Sequence, residues 1–155
     1  MAVSLEDLER RLRVLEDREA IRELIARYAY EVDCGSPPDW GAVFSHDVEM
    51  EAGKLGVSRG LAGIEQRFAR KAHLDAIREG SQHGYSNVVV ELSVNDDAAE
   101  AFGYACVIIK MDGRFEIYTL GVNRWRLRRE VNGWRIVERV RREVGEPDWR
   151  RVIDG

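Results

Sequence analysis

Leu5, Leu8, Leu12 and Leu15 recur at heptad a and d spacing, and Ile21, Ile25, Tyr28 and Val32 continue an apolar stripe. The pattern predicts one long helix from about Leu5 to Val32, with Asp33 on its last turn. Ser4, followed three residues later by Asp7, resembles a capping box at its start, and Gly35 with Pro37-Pro38 ends it. DWGAVF (39–44) predicts one short amphipathic turn of helix. VEMEAG and LGVSRG read as two short strands joined near Gly53, and Leu61, Ile64 and Phe68 mark a third helix to about Arg78, stopped by Gly80.

After Gly80 the period changes from helical to two. HGYSNVVVELSV, AEAFGYACVII, RFEIYTLGVNRWRLRR and GWRIVERVRRE read as four neighbouring strands. Their breaks are Asn95-Asp96-Asp97, Met111-Asp112-Gly113 and Val131-Asn132-Gly133, the last a strong hairpin signal. Helices first and strands later, with short turns between long strands, predict an α+β fold built on an antiparallel meander. The 155 residues hold no repeat or linker and are read as a single domain over 1–155, the tail GEPDWRRVIDG adding a closing helical turn.

Composition narrows the function classes. A hydrophobic fraction of 45% and a charged fraction of 34% fit a soluble globular chain. No apolar run approaches the roughly 20 residues that span a bilayer, and the charged amino terminus has no signal-peptide stretch, so a cytoplasmic location and no membrane partner are expected. Ten arginines fall between Arg124 and Arg151, yet Glu130, Glu138, Glu143, Glu146 and Asp148 interrupt them and the net charge is −4. A solvated sheet face or a subunit contact is expected there, not a nucleic-acid track. Two cysteines, Cys34 and Cys106, make neither a disulfide framework nor a zinc spacing, and no metal or nucleotide motif occurs, so no metal and no cofactor is expected. His46 and His73 read as surface residues.

One acid is out of place. Asp33 ends a helix, where the dipole disfavours a carboxylate by about 0.3–1 kcal/mol. At 100° per residue it shares a stripe with Arg22, Ala26 and Ala29, and the alanines leave room beside it. On the strand, His83, Tyr85 and Asn87 alternate onto one face, with Gly84, Val88 and Val90 on the other.

YAYEVD, DWGAVFSHDVEME, GLAGIEQRF, QHGYSNVVVEL and NRWRLRREVNGWRI, in that order over nearly the whole chain, resemble the SnoaL-like branch of the nuclear transport factor 2-like superfamily. The resemblance implies a cone: one curved antiparallel sheet closed by three helices, with a pocket inside. Within the superfamily the chain is similar to scytalone dehydratase and the bile-acid 7α-dehydratases. Asp33 and His83 match their aspartate at the first helix end and histidine at the start of the third strand. Tyr28 matches a tyrosine of the bile-acid branch, and Asn123 an asparagine that holds substrate in the scytalone branch. The match departs at Ala105, Ala52 and Gly121, where the scytalone pattern has histidine, tyrosine and serine, so scytalone itself is not the expected substrate.

The resemblance implies a His83 general base oriented by Asp33, with Tyr28 or Tyr30 donating to a departing oxygen and Asn123 anchoring the substrate. Such a base typically contributes about 10²–10⁴-fold. Tyr104 and Trp125 are read as pocket wall. The expected activity is a cofactor-independent dehydratase acting on a small, apolar, cyclic hydroxylated molecule. An isomerase or cyclase in the same pocket and a non-catalytic binding or assembly protein are the competing readings. In the blandest reading Asp33 only begins a polar turn and His83 is a satisfied strand-end residue. A homodimer or homotrimer is expected, with Trp125, Trp134 and the arginine-rich last strands as candidate contacts.

Overall fold

The computed structural model describes residues 3–34, 38–93 and 97–154. Helix α1 runs Leu5–Asp33, and Ser4 Oγ accepts the Asp7 N–H at 3.1 Å to begin it. The residues expected to end it, Gly35 and Pro37, lie outside the described residues, as do Asn95 and Asp96. Helix α2, Trp40–Val43, is capped by Asp39 and passes directly into strand β1, Phe44–Ala52. A 3-10 turn at Gly53–Leu55 leads to β2, Val57–Arg59, antiparallel to β1.

The expected third helix is two helices. Helix α3, Gly60–Phe68, packs on β1 and β2, whereas α4, Lys71–Glu79, packs on β3 and β4 at the far side of the sheet. One straight helix cannot serve both ends, and the chain turns at Arg70, whose ψ of 136° is extended. No glycine or proline marks the break, so local propensity did not announce it.

The strands β3 (Ser81–Leu92), β4 (Ala98–Met111), β5 (Arg114–Glu130) and β6 (Gly133–Glu143) form the expected meander, and α5 (Arg151–Asp154) closes the chain. Asp112 and Gly113 both have positive φ, 49° and 79°, as a two-residue hairpin joining right-twisted strands requires. The sheet order is β2-β1-β6-β5-β4-β3, and β1 and β6 run parallel. The sheet is therefore not antiparallel throughout. The helical crossover takes the chain to the opposite edge, and three hairpins then return it to β1 in the same direction. Register shifts between Phe44 and Glu49, Ser86 and Val89, Val107 and Ile108, and Arg126 and Leu127 curve the sheet.

The concave face and the helices share one core, in which Ile21, Ile25, Tyr28, Phe44, Met50, Ile64, Trp125 and Leu127 are fully buried. Trp125 and Trp134 belong to it and are not available as subunit contacts. Trp134 Nε1 donates to Asp17 at 3.2 Å, and Asp17 also accepts from Arg129 at 2.6 Å. The outer arginines are paired along the sheet, Arg126 with Glu100, Arg128 with Asp47 and Arg142 with Glu51. No helix among the described residues is long and apolar enough to cross a membrane.

Candidate active site

Helix α1 and edge strand β3 lie side by side, which brings the last turn of one against the first residues of the other. Asp33 there binds β3 at three points. Its Oδ1 lies 2.8 Å from His83 Nδ1 and accepts from Ser81 Oγ at 2.9 Å, and its Oδ2 accepts the His83 backbone N–H at 2.6 Å. Burial opposes the Asp33 charge. The His83 ring and backbone hydrogen bonds, the His83 charge and the Ser81 hydroxyl outweigh it and hold the carboxyl below its ordinary value. The side chains of both residues are about one-fifth exposed, 19% each.

The pair walls a half-open cleft of about 230 Å³. Arg22, Ala26, Ala29 and Asp33, the stripe read from helical spacing, form one side, and His83 and Tyr85 form the other. The enclosed apolar chamber implied by the resemblance is not what the fold presents. The cone interior is filled by Tyr28, Tyr85, Phe44 and Trp125, and the dyad opens on a groove beside them. A more open depression of about 450 Å³ at the other end of β3–β5 is lined by Glu91, Glu100 and Arg126, away from the dyad.

The strand alternation holds only to Tyr85. The ladder with β4 slips between Ser86 and Val89, and Asn87 takes a φ of 54°. The slip reverses the faces beyond it, so Asn87 is exposed, Val88 lines the cleft and Val90 is buried.

The other expected site residues are dispersed. Tyr28 is buried in the core, its ring stacked on Tyr85 at 5.5 Å and its hydroxyl accepting from Arg139 Nη1 at 2.8 Å. Tyr30 stands at the cleft rim and is 75% exposed. Asn123 is fully buried and accepts from Arg139 Nε at 3.0 Å. Trp125 packs edge-on against Tyr85, 5.3 Å between ring centres, behind the cleft wall. Tyr104 is no part of the pocket: it lies between the buried positions Gly103 and Ala105 on strand β4 and projects to the outer face.

Sequence reasoning missed three participants. Ser81 completes the ligation of Asp33. His73, read as a surface residue, lies on α4 with its ring 5.8 Å from that of His83 and 5.2 Å from that of Phe68. Burial and the His83 charge push its pKa down, against Asp33 and the Val32 carbonyl, which push it up. The break between α3 and α4 places it there, and no local signal foretold that break. The third is Arg139, which an arginine-rich strand made look like one more solvated cation. Tyr85, noted only as a phenol on the histidine's face, has its pKa raised well above the ordinary value by burial, although Arg139 pulls it down.

The arrangement provides an imidazole with one nitrogen held by a carboxylate, beside a phenol kept protonated. That is the equipment of general acid–base chemistry.

Comparison with known proteins places this chain in a family. Residues 13–140 match the model of the SnoaL-like domain. A nuclear transport factor 2-like protein with a cystatin-like fold from Novosphingobium aromaticivorans is 30% identical, with a TM-score of 0.92 and 99% of each chain covered. A protein from the same organism named as an aromatic ring hydroxylase is 26% identical, with a TM-score of 0.68 over 84% of this chain and 90% of that one. Another, named for scytalone dehydratase, is 21% identical, with a TM-score of 0.63 over 81% and 83%, and shares the fold. No curated protein matches the chain. The chain belongs to the SnoaL-like family of the nuclear transport factor 2-like superfamily.

Proposed function

We propose that this protein is a cofactor-independent lyase that dehydrates a small cyclic hydroxylated substrate. The observation carrying the reading is the Asp33–His83 contact of 2.8 Å on the wall of a cleft. Asp33 fixes the tautomer with the proton on Nδ1, which leaves Nε2 as the base. In the elimination, Nε2 takes a proton from carbon next to a carbonyl, the C–H electrons form the new double bond, and the C–O bond breaks. The imidazolium then returns that proton to the departing hydroxyl, which leaves as water. An isomerase differs only in returning the proton to another carbon.

A second reading, a non-catalytic binding or assembly protein, is favoured by the filled cone and the small volume of the cleft. His83→Asn, assayed on a panel of hydroxylated cyclic ketones, separates the two. The lyase reading expects water loss by the wild type and a fall of about 10²–10⁴-fold in the variant. Turnover that the substitution leaves unchanged removes the base.

A further inference from the structure

Arg139 stands on the concave face of β6 opposite Trp125 and is 6% exposed. Its Nε donates to Asn123 Oδ1 at 3.0 Å, and its Nη1 donates to the Tyr28 hydroxyl at 2.8 Å and to Met50 Sδ at 3.6 Å. Its guanidinium carbon lies 5.3 Å from the Tyr28 ring and 5.8 Å from the Tyr85 ring. Every one of these partners is neutral. Among the described residues no carboxylate pairs with Arg139, although buried cations are ordinarily paired. The surroundings repeat the imbalance: Asn123 Nδ2 and Trp125 Nε1 are buried donors without an acceptor. One buried cation lacks a counter-ion, and two N–H groups on the adjoining strand lack acceptors.

We propose that Arg139, Asn123 and Trp125 form an anion subsite that takes the carboxylate of a small cyclic acid. The proposal rests on the preceding reading only in taking the cleft beside His83 as the ligand's entrance. Tyr85 is the partition, walling that cleft on one side and lying under Arg139 on the other. A ligand reaches the cation past the edge of this ring, and the register slip at Ser86/Val89 gives the strand next to it room to adjust. The substrate then spans the partition, with its acid group on Arg139 and its reacting carbon at His83.

The test uses cyclohexanecarboxylate and its methyl ester as probes, read by thermal shift and by tryptophan fluorescence. The acid is expected to stabilise the wild-type protein and the ester to leave it unchanged. Arg139→Met is expected to fold with an equal or higher Tm, because an apolar isostere removes a buried charge that has no counter-ion. It should weaken binding of the acid by about tenfold to a hundredfold. Asn123→Asp is the second arm. It supplies a carboxylate inside the protein, so it is expected to raise the Tm and abolish the response to the acid. An ester that binds as well as the acid, or an Asn123→Asp protein with lower Tm and intact acid binding, overturns the proposal. The His83→Asn protein should still bind the acid, so loss of binding and loss of turnover fail separately.

A second inference comes from the other end of α1. Leu5, Leu8, Leu12 and Leu15 are 72%, 49%, 56% and 62% exposed. At 100° per residue their stripe lies about 160° around the helix from Ile21, Leu24, Ile25, Tyr28 and Val32, which face the core. The seam therefore points away from its own domain. With leucine at a and d, Glu9 and Glu16 occupy e, and Arg11 and Arg18 occupy g. In a parallel pair Arg11 meets Glu16 of the partner subunit, whereas an antiparallel pair sets like charges together. We infer that two copies of this chain join through a parallel coiled coil of their α1 amino-terminal turns.

Light scattering after gel filtration checks it with Leu8→Glu/Leu12→Glu. Both side chains are exposed in the single chain, so the variant should fold normally and run as a monomer. Arg11→Glu should weaken the assembly, and adding Glu16→Arg should restore it. A monomeric wild type, or an assembly indifferent to the leucine pair, overturns the inference.

Discussion

Asp33 grips His83 at two atoms, the ring Nδ1 at 2.8 Å and the backbone N–H at 2.6 Å. One carboxylate thus sets the position of the strand and the tautomer of the imidazole together. This accounts for an acid at the helix end where the dipole disfavours it, because the first residues of β3 supply the donors that the helix terminus cannot. Asp33→Asn keeps the shape and removes the charge. It should lower any His83-dependent turnover by about 10²–10⁴-fold.

The same carboxylate gives a stability prediction with a definite sign. Its folded pKa lies below the ordinary 3.8, so the folded state binds its proton later than the unfolded chain. Its contribution is complete above 3.8 and is lost as pH falls through the lower, folded value. The Tm gap between wild type and Asp33→Asn should therefore narrow from pH 5 towards pH 2. A gap that widens on acidification contradicts the assignment.

His73 has the opposite charge type and the same sign of effect. Facing His83, Asp33, Phe68 and the Val32 carbonyl, it is held neutral below its ordinary 6.5. The unfolded chain takes up this proton first, so acidification from pH 7 to pH 5 destabilises the folded state. His73→Gln should lose less Tm than wild type over that interval. Parallel Tm curves for the two proteins would show that His73 does not titrate against the fold.

What could be read from the residues alone divides along physical lines. The alanine stripe of α1 and the start of β3 follow strict local periods, so the Asp33–His83 pairing and one wall of the cleft were legible. Features set by tertiary packing were not. The break at Arg70 carries no glycine or proline, and it decides where His73 goes. The slip after Ser86 exchanges the faces of β3, which misplaced Asn87 and Val88. Tyr104 was misassigned because period two cannot say which of two faces is concave. Arg139 and Arg141 differ from Arg135 and Arg142 on β6 in lying on the buried face, which charge pattern does not report.

Gly121 tests a departure from the scytalone pattern. A Cβ there would come within 2.9 Å of Arg141 Nε and 2.9 Å of the Arg142 carbonyl oxygen. Arg141 lies across this bare stretch of β5 and donates to Thr119 Oγ1 at 2.8 Å. Gly121→Ala should cost about 1–3 kcal/mol, because the Arg142 contact is with backbone and cannot swing aside. Gly84→Ala, whose Cβ would meet only the Cys106 oxygen at 3.7 Å, is the matched control and should be near neutral in chemical denaturation. Equal losses in the two variants would mean that the space over Gly121 is not what requires glycine.

The cleft itself can be tested without touching the dyad. Ala29 lies on α1 in the cleft wall, four residues before Asp33, and leucine is nearly as good a helix former as alanine. Ala29→Leu should therefore change stability by no more than about 0.5 kcal/mol while filling part of the 230 Å³ beside His83. Arg27→Leu, on the same helix but outside the cleft wall, carries the same side chain into solvent. If the groove is where substrate meets the base, Ala29→Leu raises KM or abolishes turnover and Arg27→Leu does neither. Equal behaviour of the two variants would place the chemistry elsewhere on the molecule, since only the first occupies the space that the Asp33–His83 pair faces.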